Sequence, residues 1–281
     1  MKIYFELMMR SFLWAMAVLL LACSSTSSMP KEEENTVVLP VYNQAYNENY
    51  DADTMADLAK AKGAYILLDP FMMGVSENIT SLKKANNQVA GYISAGTAED
   101  WRDDYNDLEP YVSSIVWAEW AGEYYVKETQ TGVLEVMKKR IDKMASWGLD
   151  WVEYDNMDWV DEETVKKYAL SVTREESRNY INALCSYTRS KGMKCMAKNT
   201  VEGFESFDGV LYESYDNNKN WWDKNGTKSF LDAKKLVIIN HYNEADCDKV
   251  YAQYKAYYQS ENISFICEDK NLKKYKHYGE K

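Results

Sequence analysis

Eight short apolar runs recur along this chain, and stretches with helical spacing separate most of them. The runs are 37–42 (VVLPVY), 64–69 (AYILLD), 89–94 (VAGYIS), 149–155 (LDWVEYD), 194–199 (KCMAKN), 209–214 (GVLYES), 236–241 (LVIINH) and 263–268 (ISFICE). A strand that is apolar on both faces must be covered on both, and parallel sheets achieve this by crossing over through helices. The intervening segments supply them. Met55, Leu58 and Ala61 recur at helical spacing before Gly63, and Val133, Met137, Ile141 and Met144 do so before Gly148. Further helices are expected over 174–191, ending at Gly192, and over 244–258, with short ones near 76–85 and 229–234. Eight such units in a domain of roughly 250 residues match a single (β/α)8 TIM-type barrel of the α/β class. A doubly wound open sheet is the alternative, but no Gly-x-Gly-x-x-Gly follows any strand, and a P-loop and a Gly-x-Ser-x-Gly elbow are also absent. The segment 97–128 reads as irregular and aromatic, and the last dozen residues are expected to fray.

The first residues do not belong to this pattern. Lys2 and Arg10 precede an apolar run over 12–22 that is short for a membrane span and has the length of a signal h-region. It ends Leu20-Leu21-Ala22-Cys23 before Ser24, Ser25 and Thr26, which is similar to the lipobox of bacterial lipoproteins. Residues 1–22 are therefore read as a signal peptide and Cys23 as the residue that receives lipid. Residues 23–36, Ser-rich and then acidic, read as a flexible tether. This leaves 37–272 as the folded domain. The expected address is the bacterial cell envelope, held to a membrane through Cys23 and facing the periplasm or the exterior.

The formal net charge of −11 becomes −12 once residues 1–22, with Lys2, Arg10 and Glu6, are removed. An acidic surface argues against nucleic acid as a partner and is compatible with a cationic ligand. The chain is expected to be a monomer. Export permits disulfides among Cys185, Cys195, Cys247 and Cys267, with three connectivities open. Cys195 and Cys267 lie in apolar runs, so buried free thiols are an equally good reading.

If the barrel is right, its strand ends bring Asp69, Ser94, Asp155, Lys198, Asn199, Glu213 and His241 to one rim, the face where such barrels place chemistry. The set is rich in carboxylates. The chain has only two histidines, His241 and His277, so a Ser-His-Asp or Cys-His apparatus and a multi-histidine zinc site lack material. Two carboxylates flanking a scissile bond are the equipment of glycoside hydrolysis, one protonating the leaving oxygen and the other acting as nucleophile or base. Asp155 and Glu213 are the pair expected here, with rim aromatics stacking on sugar faces. A hard-oxygen metal site built from Asp155, Asn156, Asp158 and Asp161 is the competing use. Their spacing is not that of an EF-hand, and no metal or cofactor is expected.

Several motifs together resemble glycoside hydrolase family 114, the endo-α-1,4-polygalactosaminidase family. They are Gly91-Tyr-Ile-Ser-Ala-Gly-Thr-Ala-Glu-Asp-Trp-Arg102, Trp120-Ala-Gly-Glu-Tyr124, Met137-x-x-Arg-Ile141, Val152-Glu-Tyr-Asp-Asn-Met-Asp158, Ala197-Lys-Asn199 and Tyr212-Glu-Ser214. The resemblance implies a TIM-type barrel that cleaves α-1,4 bonds inside galactosamine-containing polymers with retention of configuration. It implies Asp155 as general acid/base and Glu213 as nucleophile. Asp69, Tyr92, Asp158, Lys198, Asn199 and His241 are the expected substrate-binding residues. Deacetylated galactosamine polymers are cationic, which fits the acidic chain, and the expected partner is such an amino-sugar polysaccharide. Three positions depart from the family pattern: Tyr154 stands for its usual Pro, Tyr124 for a Trp, and His241 for an acidic residue. A polysaccharide-binding surface lipoprotein with the same barrel but no turnover is the alternative reading.

Overall fold

The computed structural model describes residues 38–278 except 47–49, 116–119, 128–131, 158–161, 168, 171, 200–203, 216–223, 243–246, 259–262 and 269–274. The signal segment, Cys23 and the tether lie outside the described residues, as do Asp158 and Asp161.

All eight apolar runs form strands, and all eight are parallel. They are β1 (Val41–Asn43), β2 (Tyr65–Leu68), β3 (Gln88–Ser94), β6 (Trp151–Asp155), β7 (Lys194–Lys198), β8 (Gly209–Tyr215), β9 (Leu236–Tyr242) and β10 (Ile263–Glu268), hydrogen-bonded in that order. Between β3 and β6 a short antiparallel hairpin pairs β4 (Thr97–Glu99) with β5 (Glu123–Tyr125). The helices are α1 (Ala52–Leu58), α2 (Ile79–Lys83), α3 (Tyr105–Leu108), α4 (Gly132–Trp147), α5 (Glu162–Lys167), α6 (Arg174–Ser190), α7 (Lys224–Asp232) and α8 (Cys247–Tyr258). The result is a nearly closed barrel with helices between its strands.

At the seam, the Leu39 amide donates to the Ser264 hydroxyl at 3.0 Å. The free edge of β10 is taken by β11 (Tyr275–Tyr278), which pairs with it antiparallel. Residues 275–278 are therefore a strand of the sheet rather than part of a frayed tail, and the folded domain runs past residue 272. Covering that edge removes a row of unpaired backbone groups.

The helix stops fall where the glycines predict. Gly148 follows α4 with φ 85° and Gly192 follows α6 with φ 82°, a left-handed region that glycine enters without steric cost. Gly91 has another duty. A Cβ there would come within 2.6 Å of the Leu149 side chain and 2.8 Å of Met144, so the bare backbone lets α4 and the start of β6 pack onto β3.

The pleat divides the apolar residues into two cores. Val89, Val152, Cys195, Val210, Val237 and Ile239 face the helices. Tyr65, Leu67, Trp151, Met196, Leu211 and Ile238 fill the barrel, with Tyr65 and Trp151 in edge contact at 5.9 Å. The lumen is thus plugged below, and polar side chains are left for the carboxyl ends of the strands.

Two disulfides fasten this scaffold: Cys185–Cys195 joins α6 to β7, and Cys247–Cys267 joins α8 to β10. The free-thiol alternative does not hold. Breaking the first with Cys185→Ala and Cys195→Ala is expected to cost about 2–3 kcal/mol, a Tm drop of roughly 5–10 °C. A Tm unmoved by the double substitution would mean that the bridge contributes nothing.

Candidate active site

Four neighbouring strands, β6 to β9, deliver the polar centre. Along β6 the lumen-facing residues are Trp151, Glu153 and Asp155, while Val152 and Tyr154 face the helices. Tyr154 is fully buried there and shares a hydrogen bond of 2.5 Å with Thr188 of α6. On β7 the same alternation puts Lys198 in the lumen above Met196. On β8 it places Glu213 above Leu211, and on β9 Asn240 and Tyr242 above Ile238.

Lys198 is the hub. Its Nζ donates to Asp155 Oδ2 at 2.8 Å and lies 3.3 Å from Glu213 Oε2. The ring of Tyr46, from the segment after β1, lies beneath it with its centroid 4.0 Å from Nζ. Burial favours loss of the lysine proton, but Asp155, Glu213 and Glu153 outweigh it and hold the ammonium well above the usual lysine range. Lys198 is therefore a fixed positive charge shared by two carboxylates.

Glu213 is held at both oxygens. Tyr242 OH donates to Oε1 at 2.9 Å and Asn199 Nδ2 donates to Oε2 at 2.8 Å. Asn199 Oδ1 in turn accepts the Glu213 backbone amide at 2.9 Å. Asn199 makes this clamp from a left-handed backbone, φ 56°, which asparagine tolerates better than most residues. Asn156, just past β6, repeats the conformation at φ 56°, and its amide N–H donates to Asp155 Oδ1 at 2.8 Å. Its side chain donates to Ser94 Oγ and to Glu123 Oε1, each at 2.8 Å. Thr97 joins this group, donating to Glu123 and sharing a hydrogen bond with Ser94. Burial is the main cause that pushes the Glu123 carboxyl up to about 7.

Toward β2 the rim continues as an ion-pair cluster. Arg102 forks onto Glu99 (Nε–Oε2 2.7 Å, Nη2–Oε1 2.9 Å) and reaches Asp69 Oδ2 at 2.8 Å. Among the described residues no three His, Cys, Asp or Glu side chains are grouped to hold a metal ion.

A family model of glycoside hydrolases, GH114, matches residues 28–281. The chain belongs to family GH114. The GH114 barrel is similar to that of Aspergillus fumigatus Ega3, solved in complex with galactosamine, with a TM-score of 0.66 and 20% identity over 86% of this chain and 96% of that one. It is also similar to the glycoside hydrolase domain of Pseudomonas aeruginosa PelA, with a TM-score of 0.59 and 14% identity over 84% and 97% of the two chains. At these identities the likeness is one of fold. No curated protein sequence matches the chain.

Of the GH114 residues named from the sequence, Asp155, Lys198, Asn199 and Glu213 meet at one point. Tyr92 is close by, its ring in edge contact with Tyr46 at 5.7 Å. Asp69 is at the rim but engaged by Arg102. His241 is buried on the strand face of Val237 and Ile239, turned from the lumen, so the structure does not bring it to the carboxylates. Its neighbour Tyr242 occupies that place. Tyr242, Tyr46 and Glu153 were not singled out from the sequence as site residues; parity with Asp155 along β6 is the signal for Glu153, and the uniformly apolar run before Tyr242 carries none.

Proposed function

We propose that this protein is a retaining endo-glycosidase that cleaves α-1,4 linkages in galactosamine-containing exopolysaccharide, tethered to the bacterial cell envelope by lipid on Cys23. The observation that carries the reading is the shared ammonium. Asp155 Oδ2 and Glu213 Oε2 lie 2.8 and 3.3 Å from one Lys198 nitrogen, so these oxygens are no further apart than the sum of those distances. Two carboxyl groups held against one cation are compatible with the retaining separation of about 5–5.5 Å.

Residue roles follow the family resemblance. Glu213, oriented by Asn199 and Tyr242, attacks the anomeric carbon while Asp155 gives its proton to the departing glycosidic oxygen. The resulting glycosyl ester is then opened by water, whose proton returns to Asp155 as Glu213 leaves. Substrate charge is supported by the excess of acid. Among the described residues Asp69, Glu99, Asp104, Asp155 and Glu213 face three cations, Lys198, Arg102 and Arg140, the last within 4.0 Å of Glu99 as well as bound to Asp104. A protonated amino sugar meets a complementary field there. Ega3, solved with galactosamine, gives the same direction.

The test is product release from purified galactosamine-containing exopolysaccharide by the mature chain carrying Cys23→Ser. Mass spectrometry should find a ladder of oligosaccharides, and proton NMR taken early should find the α-anomer at the new reducing ends. The β-anomer appearing first would overturn retention. Binding without release by the folded protein would overturn the enzyme reading in favour of a polysaccharide-binding lipoprotein.

A further inference from the structure

Glu153 is a buried carboxyl under the reacting pair that the mechanism above does not use. Its side chain has no solvent exposure. Oε1 accepts a hydrogen bond from Tyr46 OH at 2.7 Å, and Oε2 has no partner among the described residues. The same Tyr46 ring supports Lys198 from below, so Glu153, Tyr46 and Lys198 form one stack beneath Asp155 and Glu213.

An ionised carboxylate seeks donors at both oxygens, and burying it with one oxygen bare carries a heavy desolvation cost. The surroundings supply little relief. The charged groups facing Glu153 are Lys198 from β7, Asp155 above it on β6 and Glu213 from β8. The titratable phenols are Tyr46, Tyr65 from β2 and, across the strand pair, Tyr92 from β3, with Tyr242 from β9 behind Tyr46. Glu268 closes the lumen side of β10 above Ile266. Lys198 is the one cation in this set, and Asp155 already accepts its hydrogen bond. Burial pushes the Glu153 carboxyl up, Lys198 and Tyr46 pull it back, and Asp155 and Glu213 push it up further, to about 8.

We propose that Glu153 is a positioning residue that works as the neutral acid: uncharged, it leaves the Lys198 ammonium to Asp155 and Glu213, and on ionising it competes for that ammonium. This rests on Asp155 and Glu213 being the reacting pair. With Glu153 neutral, the Lys198 ammonium serves Asp155 and Glu213 alone, and both side chains stay oriented toward the sugar. With Glu153 ionised, a third anion beneath Lys198 draws Nζ down toward Tyr46 and loosens both reacting groups. The sign is that of a raised acid. The useful form is present below the folded-state value and is lost as pH rises through about 8.

Two measurements on the mature chain test this, and one of them needs no substrate. Infrared difference spectra between mildly acidic and alkaline pH should contain a protonated-carboxyl carbonyl band that titrates near pH 8 in the wild type and is missing in Glu153→Gln. In Tyr46→Phe the band should titrate at higher pH, because the lost hydrogen bond favoured the ionised form; this arm serves if Glu153→Gln does not fold. No band near that pH in the wild type, or a band retained in Glu153→Gln, would overturn the neutral acid whatever the substrate proves to be. The second measurement is the ratio of kcat in Glu153→Gln to that of wild type across pH, which removes pH effects common to the two proteins. The ratio should rise by about threefold or more between pH 7 and pH 9, since a glutamine side chain cannot ionise. A ratio flat with pH would overturn the positioning role while leaving the endo-glycosidase reading untouched.

Discussion

Glu213→Gln is expected to lower kcat by at least about 10⁴-fold, and Asp155→Asn by about 10²–10⁴-fold, each with the fold and Tm retained. The asymmetry comes from what each group supplies. Glu213 would form the covalent bond, and an amide cannot replace it. Asp155 would move a proton, a duty that a substrate with a good leaving group partly relieves. The amide introduced by Glu213→Gln keeps an oxygen for the Tyr242 hydroxyl but turns its nitrogen toward Asn199 Nδ2, and the one introduced by Asp155→Asn keeps an oxygen for Lys198 Nζ but turns its nitrogen toward the Asn156 amide, so each variant keeps one native hydrogen bond at the substituted group. Lys198 lies nearer to Asp155 than to Glu213, so distance alone does not assign the roles. Azide rescue does. In Glu213→Ala, azide entering the vacated space attacks the anomeric carbon once and gives a glycosyl azide of inverted configuration. In Asp155→Ala, with an activated leaving group, azide intercepts the glycosyl ester on Glu213 and gives the retained product. Swapped outcomes would exchange the two roles, and full activity in either single variant would remove that residue from the mechanism.

The strands were legible because each is buried on both faces, and runs such as LVIINH and ISFICE have no other good use. The same property hid the site's inner half. In a run that is apolar throughout, the pleat leaves no sequence trace of which alternate residues face the lumen, so His241 was read as a site residue although Tyr242 reaches Glu213. Glu153 and Asp155 share a lumen face for the same reason, two residues apart on β6. The β4–β5 hairpin was illegible on other grounds. Its strands have three residues each and pair across a long aromatic insertion, leaving no period to detect. Yet it carries Glu123 to the back of Asn156. Asp155, Lys198, Asn199 and Glu213 could be named together because they lie at or near strand ends, and in a parallel barrel all strand ends reach one rim.

Arg102 carries the second large effect. Its guanidinium is the cation that joins Glu99 and Asp69, with side-chain exposures of 9%, 3% and 6% for the three residues. Arg102→Leu fills similar space but leaves the buried Asp69 carboxylate without its cation and Glu99 with only the more distant Arg140, 4.0 Å away. Removing one partner from a buried ion cluster costs about 3–5 kcal/mol, a Tm drop of roughly 10 °C or more in a domain of this size. The pH dependence identifies the cause. Burial already pushes the Asp69 carboxyl up, against the pull of Arg102. Without the arginine, Asp69 would take up a proton more readily in the folded state than in the unfolded chain. Such groups stabilise the fold while protonated and lose that contribution as pH rises through their folded-state values. The deficit of Arg102→Leu relative to wild type should therefore be small near pH 4.5 and largest at neutral pH, read from urea midpoints at each pH. A deficit independent of pH would mean that Arg102 acts by packing alone. Arg102→Lys should fall between the two, because it restores the charge but not the fork that grips Glu99 through two nitrogens.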